Sequence, residues 1–368
     1  METHKFPYKW TLKDAVFTKD KGKVFSCFAC GGGSTMGYKL AGFDVLGCNE
    51  IDPKMIEAYK NNHNPKYAYL EPIQTFKLRK DLPEELYNLD ILDGSPPCSS
   101  FSMAGNREKD WGKDKVFREG QAMQVLDTLF FDFIDLAKEL QPKVVVAENV
   151  KGLLLGTAKS YVIQIYKAFD EAGYTCQHFL LDASKMGVPQ RRERVFFIAL
   201  RKDLAGQFMV QKDMFTMLPE LDLMFNEKPV KYSEFHVGDG KELTPHCKQA
   251  WEHRIFGDKS ISDCKERAGM KVSDFNNCII YKDEVLPTIA AKGHQTMTLY
   301  DQPNYISDYE MKCGGTYPQD YNFHPCKPGY LIGMSVPPVM MAQIASRIYE
   351  QWLSKINDHV SQQKLFTI

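Results

Sequence analysis

Three groups of residues have the types and spacing that covalent catalysis needs. Cys98 follows two prolines in the loop GSPPCSSFS, and proline restricts both its own backbone and that of its predecessor. Glu148 comes directly after the apolar run 144–147, and clustered guanidinium groups lie in the turn QRRER at 190–194. Singly, these are as consistent with an inert thiol, a solvated carboxylate and a solvated basic hairpin. Together, a thiol and a carboxyl at one point predict nucleophilic and acid–base catalysis.

A glycine cluster after the first apolar run predicts a pocket for a nucleotide-like cofactor. The run 24–28 leads into Gly31, Gly32 and Gly33, and Glu50 follows 19 residues after Gly31. Glycines let a ligand approach the backbone, and an acidic residue at this distance can bind ribose hydroxyls. A tight turn without a ligand fits the cluster equally well. The irregular glycine spacing disfavours NAD and a nicotinamide oxidoreductase.

The elements that must position these residues form an α/β pattern. Short apolar runs alternate with helical spacing, which predicts a doubly wound, mostly parallel sheet. Ligands of such sheets bind outside the carboxyl ends of the strands, where Cys98 and Glu148 fall. Strands are predicted over 24–28, 44–48, 89–92, 144–147, 175–181 and 194–200.

Four helices are predicted around these strands. Asp52 is suited to cap the first and Pro53 to open it. The spacing of apolar residues predicts a second over 121–140 and a third from its cap at Ser160 to Gly173. A fourth is predicted in VPPVMMAQIASRIYEQWL. From about residue 203 to 286 the alternation fades, which indicates a second, smaller and irregular unit.

Composition limits the class of protein. The 368 residues carry 46 Lys plus Arg and 47 Asp plus Glu, a net charge of −1, which excludes a uniformly basic coat. Positive charge is therefore expected on one side, from Arg191, Arg192, Arg194 and lysines of the irregular unit. Ten cysteines are too few for a disulfide scaffold. Apolar runs shorter than about 18 residues and the lack of a signal peptide predict a soluble, cytoplasmic protein without a membrane partner.

The order and spacing of the motifs resemble the cytosine-5 DNA methyltransferase family. The family's cofactor loop resembles FACGGGSTMG, its ribose-binding strand end NEID and its Pro-Cys nucleophile loop GSPPCSSFS. Its acid motif is similar to ENV at 148–150, and its Gln-x-Arg-x-Arg motif to QRRER. Its last two motifs resemble NYISDYEMKCGGTYPQDY and GMSVPPVMMAQIA. The resemblance runs from about residue 24 to 345.

The resemblance implies a fold, a cofactor and roles. The fold is that of S-adenosylmethionine-dependent methyltransferases, and double-stranded DNA is the partner. Cys98 attacks C6 of a flipped cytosine, Glu148 binds the N3 and N4 edge, and Arg192 and Arg194 hold the base's O2, nearby phosphate and the catalytic loop. The segment 99–118 is the mobile loop that closes on the base. Contacts to S-adenosyl-L-methionine fall on Phe28, Ala29, Gly31, Gly33, Glu50, Ile51, Glu71, Pro97, Ser335 and Val336.

The resemblance also divides the chain into domains. Residues 1–203 with 328–368 form a catalytic and cofactor-binding domain, and residues 204–327 form a target-recognition domain, with its core at about 204–286, and a return segment. A monomer of bacterial or phage type, without an obligate protein partner, is expected. The chain departs from the family pattern at Cys30, Ser99 and Met334, which stand in place of glycine, glutamine and asparagine.

Two other functions stay open. A tRNA cytosine-5 methyltransferase of the same fold is disfavoured because the recognition region lacks the Cys-Phe-Thr tripeptide of that branch. A non-catalytic DNA-binding member is disfavoured by the intact Cys98 and Glu148. No metal site is expected, because Cys27 and Cys30 form a single C-x-x-C pair and no common zinc spacing fits a further set, His246, Cys247, His253 and Cys264.

Overall fold

The computed structural model describes residues 4–97, 114–115, 124–125, 128–155, 159–214, 216–272, 277–291 and 296–357. The chain divides into two compact units. The first, here called the sheet unit, comprises Phe17–Leu181, Glu193–Met224 and Met341–Ile368. The second, here called the mixed unit, comprises Met1–Val16, Asp182–Arg192 and Phe225–Met340. The domain limits expected from the family resemblance stay a prediction.

A seven-stranded sheet is the centre of the sheet unit. Its strands lie in the spatial order β3-β2-β1-β4-β5-β7-β6. The pairs β1–β2, β2–β3, β1–β4 and β4–β5 are parallel, and β5–β7 is antiparallel. This confirms the doubly wound, mostly parallel sheet. The strands are β1 Lys23–Cys27, β2 Asp44–Glu50, β3 Tyr67–Leu70, β4 Ile91–Gly94, β5 Val144–Val150, β6 Tyr174–Asp182 and β7 Glu193–Arg201.

Burial explains why the strands read as apolar runs. Every residue of β7 from Val195 to Leu200 is fully buried, as is Val144 to Ala147 of β5. Strands covered on both faces by helices need apolar side chains on both faces, so they do not alternate. The strands β1, β2, β4 and β5, which together with β3 run parallel, end at the same edge of the sheet. Their carboxyl ends carry the sequences that follow Cys27, Glu50 and Gly94 and the ENV motif.

Helices cover the sheet or build the mixed unit. The predicted cap is confirmed, because Asp52 accepts hydrogen bonds from the backbone N–H of Lys54 (2.8 Å) and Met55 (3.4 Å), and Pro53 begins α2. The helices are α1 Gly33–Leu40, α2 Pro53–His63, α3 Ile73–Phe76, α4 Leu129–Leu140, α5 Lys159–Glu171, α6 Lys202–Ala205, α7 Pro245–Trp251, α8 Ile261–Arg267, α9 Asp308–Gly314, α10 Pro328–Met334 and α11 Pro338–Ile348.

Two predicted helix limits are wrong. The helix predicted from residue 121 begins at Leu129, and Gln124–Val125 instead pairs with Asp114–Lys115 as a two-residue strand. Ser160 lies inside α5, so it is not its cap. The predicted C-terminal helix is confirmed. α11 passes directly into a π-helical turn, Tyr349–Leu353, which contains the buried Trp352, and helical structure continues to Asn357.

The face of α4 toward the sheet packs into the main hydrophobic core of the sheet unit. Its buried residues, Leu129, Phe130, Phe133, Ile134, Leu136, Ala137 and Leu140, are each at most 2% exposed. The Phe130 ring packs edge-on against Phe197 of β7, with ring centroids 5.4 Å apart. Aromatic pairs in this geometry contribute about 0.5–1.5 kcal/mol beyond their buried area. This packing fixes the sheet whose edge carries the motifs.

Short elements dominate beyond β7, as the loss of periodicity predicts. Within the sheet unit β8 (Met209–Gln211) pairs antiparallel with β9 (Met217–Pro219). Within the mixed unit β10 (Cys278–Ile280) pairs parallel with β11 (Met297–Leu299). A small core joins α7 and α8 to them through Leu243, Cys247, Ala250, Trp251, Ile261, Cys264, Ile279 and Tyr305.

The segment Pro328–Asn357, which includes α10 and α11, is long and apolar enough to cross a membrane, with a mean hydropathy of 1.2 in its most apolar window. However, 78% of that window is buried inside the protein. Length and composition alone do not separate a membrane span from the core helix of a folded protein, and this burial is what a core helix shows.

Candidate active site

The loop between β1 and α1 has an unusual backbone. Phe28 and Cys30 have φ angles of 50° and 51°, and Gly32, which caps α1, has φ 89°. The left-handed region costs an L-residue roughly 1–2 kcal/mol and costs glycine almost nothing. Gly32 therefore needs to be glycine, whereas Cys30 tolerates a conformation that suits the glycine the family pattern expects there. The loop stores strain next to a candidate ligand site.

Glu50 is held at the end of β2 by backbone amides. Its Oε2 accepts a hydrogen bond from the N–H of Cys30 (2.7 Å), and its Oε1 accepts from Ile51 (2.8 Å) and Asp52 (2.9 Å). The side chain is buried, and burial raises the pKa of Glu50 although the three amides oppose this. The carboxylate is thus fixed against the strained loop, and each oxygen has two lone pairs, so Oε2 can accept a second bond from a ligand hydroxyl.

Glu71 directly follows β3, and Pro97 lies three residues after β4. Glu71 Oε1 accepts a hydrogen bond from Arg79 Nη1 at 3.0 Å, and its side chain is 21% exposed. Its backbone carbonyl accepts from Asn49 Nδ2 at 2.8 Å, which ties it to β2. Pro97 is half-buried. An adenine amino group would therefore have to share Glu71 with Arg79.

Glu148 and Arg194 form an ion pair across β5 and β7. Arg194 Nε lies 3.0 Å from Glu148 Oε1, and the two side chains are only 16% and 12% exposed. The antiparallel register places Val150 opposite Arg194, so the side chains of the two motifs converge. Burial lowers the pKa of Arg194, and the charge of Glu148 opposes that shift. Arginine remains protonated in proteins, so the pair is ionic.

Asn149 connects the acid motif to the nucleophile loop. Its Nδ2 donates to the backbone carbonyl of Pro96 at 3.1 Å, and both residues are buried. Its Oδ1 accepts from the N–H of Val150 at 2.9 Å, which fixes the amide orientation. The chain that leads to Cys98 is therefore anchored beside Glu148. Cys98 itself and the segment 99–118 lie outside the described residues, apart from Asp114–Lys115.

Arg192 is packed inside the mixed unit. Its guanidinium donates to three backbone carbonyls, those of Ile289 (3.3 Å), Gly333 (3.2 Å) and Ser335 (2.9 Å), and the residue is 2% exposed. The expectation that Arg192 adds to an exposed positive surface is wrong, because its charge is used to hold chain segments together. Arg191 is exposed and pairs with Glu284 at 3.4 Å.

Ser335 and Val336 follow α10 in the same unit. Ser335 Oγ donates to the carbonyl of Leu331 at 2.8 Å, and both residues are buried, whereas Met334 is half-buried. The structure thus brings Arg192 and Ser335 together, as it does Glu148 with Arg194 and Glu50 with the glycine loop.

Two features were missed by the sequence reasoning. Asp93 in β4 is a fully buried carboxyl, and only the acidic residue inside an apolar strand could have signalled it. The pair Ile255 and Phe256 is 56% and 81% exposed on a loop of the mixed unit. Two neighbouring apolar residues in a polar stretch, HRIFGDK, were the available signal.

The candidate metal ligands of the mixed unit have other contacts. Cys264 Sγ lies 3.5 Å from Asp258 Oδ2, and Cys247 Sγ lies 3.7 Å from Asn277 Nδ2. Across the described parts of the chain there is no group of three or more His, Cys, Asp or Glu residues arranged to hold a metal ion.

The strand order with one antiparallel strand, the glycine loop after β1 and the acidic residue ending β2 define the S-adenosylmethionine-dependent methyltransferase fold. Solved structures with this fold include a triple mutant of Spodoptera frugiperda DNMT2, at 19% identity and a TM-score of 0.61 over 89% of this chain and 99% of that one. Another is the S. pombe Dnmt2 methyltransferase, at 15% identity and a TM-score of 0.56 over 89% and 98%.

Sequence comparison identifies the family. The profile of the C-5 cytosine-specific DNA methylase family matches residues 22–350. The type II methyltransferase M.FnuDI of Fusobacterium nucleatum is 38% identical over 94% of this chain and 99% of its own length. The type II methyltransferase M.NgoPII of Neisseria gonorrhoeae is 37% identical over 52% of this chain and 51% of its own. The protein belongs to the C-5 cytosine-specific DNA methylase family and is a DNA cytosine methyltransferase.

Proposed function

We propose that the protein flips a cytosine out of duplex DNA, attacks its C6 with Cys98 and methylates C5. The observation that carries this proposal is the Glu148–Arg194 pair at 3.0 Å, with Asn149 bonded to the Pro96 carbonyl beside it. These contacts fix an acid–base carboxylate next to the loop that leads to the thiol. The reacting base must leave the stack because its atoms are otherwise out of reach, which costs about a few kcal/mol.

The residues divide the chemistry between them. The Cys98 thiolate adds to C6, and the electron pair of the C5–C6 bond becomes available at C5. Glu148 binds the N3 and N4 edge and offsets the charge that develops on the ring, while Arg194 keeps that carboxylate in place. Once C5 is methylated, loss of its proton restores the double bond and expels Cys98. Arg192 supports the site indirectly, since its guanidinium holds the chain around Ser335.

S-adenosyl-L-methionine supplies the methyl group when it is bound. Glu50 fits its ribose, because three amides fix the carboxylate while Oε2 keeps a lone pair for a hydroxyl. The left-handed backbone at Phe28 and Cys30 places this loop outside regular helix or strand structure, directly beside Glu50. We assign the remaining contacts to Ala29, Gly31, Gly33, Ile51, Glu71, Pro97, Ser335 and Val336.

We assign double-stranded DNA as the partner and modification of a restriction site as the role. M.FnuDI and M.NgoPII are both type II methyltransferases, which supports the second assignment. Recognition of the target sequence is assigned to the region of about 204–286. In that region the exposed Lys248 and Lys259 are candidates for phosphate contacts, which set affinity rather than sequence.

Covalent trapping tests the mechanism. A duplex that carries 5-fluorocytosine at the target should leave a stable adduct when S-adenosylmethionine is present, because the C5 fluorine cannot leave as a proton does. Wild type and Cys278→Ser should form the adduct, and Cys98→Ser should not. The Cys278 thiol is a matched control, since it lies half-buried on β10 in the mixed unit.

Three outcomes would contradict the proposal. Full activity of Cys98→Ser would show that Cys98 is not the nucleophile. A wild-type protein that binds DNA without adduct or methyl transfer would be a non-catalytic member of the family. Methylation of tRNA but not of DNA would place it in the RNA branch. Bisulfite sequencing of DNA from expressing cells would then identify the methylated sequence directly.

A further inference from the structure

Asp93 is a buried carboxyl that the proposed mechanism does not use. It is the third of the four residues of β4, stands five positions before Cys98 and is 1% exposed. Its Oδ2 accepts a hydrogen bond from Ser26 Oγ at 2.5 Å, and its Oδ1 accepts one from Tyr38 Oη at 3.3 Å. Burying a polar group is costly unless it has hydrogen-bond partners, as Asp93 has here. An apolar residue at this position would need no such partners.

The two donors lie on both arms of the cofactor loop. Ser26 is next to the last residue of β1 and stands opposite Asp93 in the parallel pair β1–β4. Tyr38 is fully buried on α1, the helix that the loop enters. Residues 28–32, with their strained backbone, connect the two elements. One carboxyl therefore bonds to the strand that precedes the cofactor loop and to the helix that follows it.

The nucleophile loop starts directly after Asp93. Gly94 ends β4, and Pro96 and Pro97 have their φ angles fixed by their rings. The Pro96 carbonyl is also bonded to Asn149. Asp93 precedes Pro96 by only three residues, so a displacement of Asp93 is expected to shift the start of the nucleophile loop, residues 94–97.

We infer that Asp93 is a positioning residue that couples the cofactor loop to the start of the nucleophile loop, residues 94–97, so that a ligand bound at the first changes the position of the second and the reactivity of Cys98. This inference rests on the proposed function, because it takes residues 28–32 as part of the cofactor site and Cys98 as the nucleophile. The bonds from Ser26 and Tyr38 carry the coupling.

The test measures alkylation of Cys98 by iodoacetamide with and without S-adenosylhomocysteine, read from the Cys98 peptide by mass spectrometry. The variants are Asp93→Ala, Asp93→Asn and Tyr38→Phe in the full chain. Tyr59→Phe is the matched control. Tyr59 is also fully buried, and its hydroxyl bonds to Thr35 of the same helix α1 at 3.0 Å, so this variant loses a buried hydroxyl without touching the bonds of Asp93.

In the wild type, S-adenosylhomocysteine should slow alkylation of Cys98. The ratio of the rate without S-adenosylhomocysteine to the rate with it should fall at least threefold in Asp93→Ala and Tyr38→Phe. It should stay at the wild-type value in Tyr59→Phe. In Asp93→Asn, which keeps one acceptor, it should lie between these values. Because Tyr38→Phe only removes a hydroxyl, it gives a folded variant even where Asp93→Ala unfolds.

An unchanged ratio in Tyr38→Phe and Asp93→Asn would overturn the inference, as would a wild-type rate that S-adenosylhomocysteine leaves unaltered. A purely structural bond would lower stability equally in Tyr38→Phe and Tyr59→Phe without separating their ratios. Failure of the proposed function shows differently, as a wild-type protein that forms no adduct with the 5-fluorocytosine duplex.

Discussion

Arg194 Nε lies 3.0 Å from Glu148 Oε1. Glu148 is the first residue past the middle of β5, and Arg194 is the second residue of β7. Because β7 is the antiparallel strand, its amino end meets the carboxyl end of β5. The two motifs, 46 residues apart in the chain, therefore act as one group. A buried ion pair is costly to break because the remaining charge stays buried.

The first prediction concerns this ion pair. Glu148→Gln should lower kcat by about 10²- to 10⁴-fold, the usual contribution of an acid–base group. It should also lower the free energy of unfolding, because Arg194 is left buried without its counter-charge. Arg194→Ala should also lower the free energy of unfolding, by about 3 kcal/mol. Steady-state methylation and urea denaturation measure the two effects.

Lys151→Ala is the control for that prediction. Lys151 pairs with Glu193 at 2.8 Å on the surface, where both side chains are about half exposed, so its loss should cost less than about 1 kcal/mol and leave kcat unchanged. Equal kcat values in Glu148→Gln and Lys151→Ala would show that Glu148 takes no part in proton transfer.

The second prediction concerns Gly94, where β4 becomes the nucleophile loop. A Cβ at this position would lie 2.6 Å from Cε2 of the Phe133 ring, and Phe133 is fully buried. Gly94→Ala should therefore lower the free energy of unfolding by about 1–3 kcal/mol through overpacking. Urea denaturation measures this. Gly206→Ala is the control, since no atom lies within 4 Å of its Cβ position; equal stability of the two variants would refute the clash.

The third prediction is a pH dependence of stability. Burial raises the pKa of Asp93 to about 7, opposed by the bonds from Ser26 and Tyr38 and supported by the charge of Glu148. The folded protein therefore holds a proton that the unfolded chain loses near pH 4. This stabilisation is complete below pH 4 and is lost as the pH rises through 7, a change on the order of 4 kcal/mol at most.

Asp93→Asn, which cannot ionise, should remove that dependence. The difference in unfolding free energy between wild type and Asp93→Asn, measured from pH 5 to 8, should shift in favour of the variant as the pH rises. Other groups near Asp93 are Tyr38, Tyr59 and Cys27, whose pKa values are raised by burial, so they stay neutral in this range. A difference that does not vary with pH would show that Asp93 is ionised throughout.

The fourth prediction concerns Arg192. Its three carbonyl partners would lose their donors in Arg192→Met. The free energy of unfolding should therefore fall by at least about 3 kcal/mol, because each buried acceptor left unpaired costs about 1–3 kcal/mol. Urea denaturation of the full chain measures this free energy of unfolding. Arg191→Met, at an exposed position, should be nearly neutral. An arginine that served only the substrate would instead change KM and leave stability intact.

The fifth prediction concerns the exposed Phe256. Its loop is held rigidly, because Asp258 accepts from the N–H of Ile255 at 2.8 Å and from Arg267 Nη2 at 2.6 Å. The Phe256 ring also contacts Tyr281 edge-on, at 5.4 Å between centroids. A rigid apolar tip inside the predicted recognition region suits insertion between base steps. Phe256→Ala should raise the Kd for duplex DNA at least fivefold, as measured by fluorescence anisotropy.

Val272→Ala is the matched control for Phe256. Val272 is 53% exposed in the same unit, so it loses exposed apolar surface without altering the tip. Equal Kd values for the two variants would show that the tip does not contact DNA.

The parallel core of the fold and the clustering of the motifs could be predicted from sequence, because both follow from local patterns. Val144 to Ala147 and Val195 to Leu200 are runs that only strands buried on both faces need. The cap at Asp52 depends on residues two and three positions away, so it was also within reach.

The rest depended on contacts between distant residues. Arg192 bonds to three carbonyls about 100 to 140 residues away in the chain, and no local sequence pattern predicts such contacts. An arginine is also expected to be exposed, because most arginines in proteins are. Asp93 is similar, since its partners Ser26 and Tyr38 are set by strand order. The start of α4 was missed because the apolar spacing in the sequence continues before Leu129, where the helix begins.

The three backbone amides that donate to Glu50 can also serve as NMR probes of ligand binding. The N–H groups of Cys30, Ile51 and Asp52 all donate to one carboxylate, so their proton and nitrogen chemical shifts depend on its charge and on what else it binds. If these amide resonances shift together when a ribose-containing ligand is titrated, they report binding at Glu50 directly. The measurement needs no chromophore in the ligand or the protein.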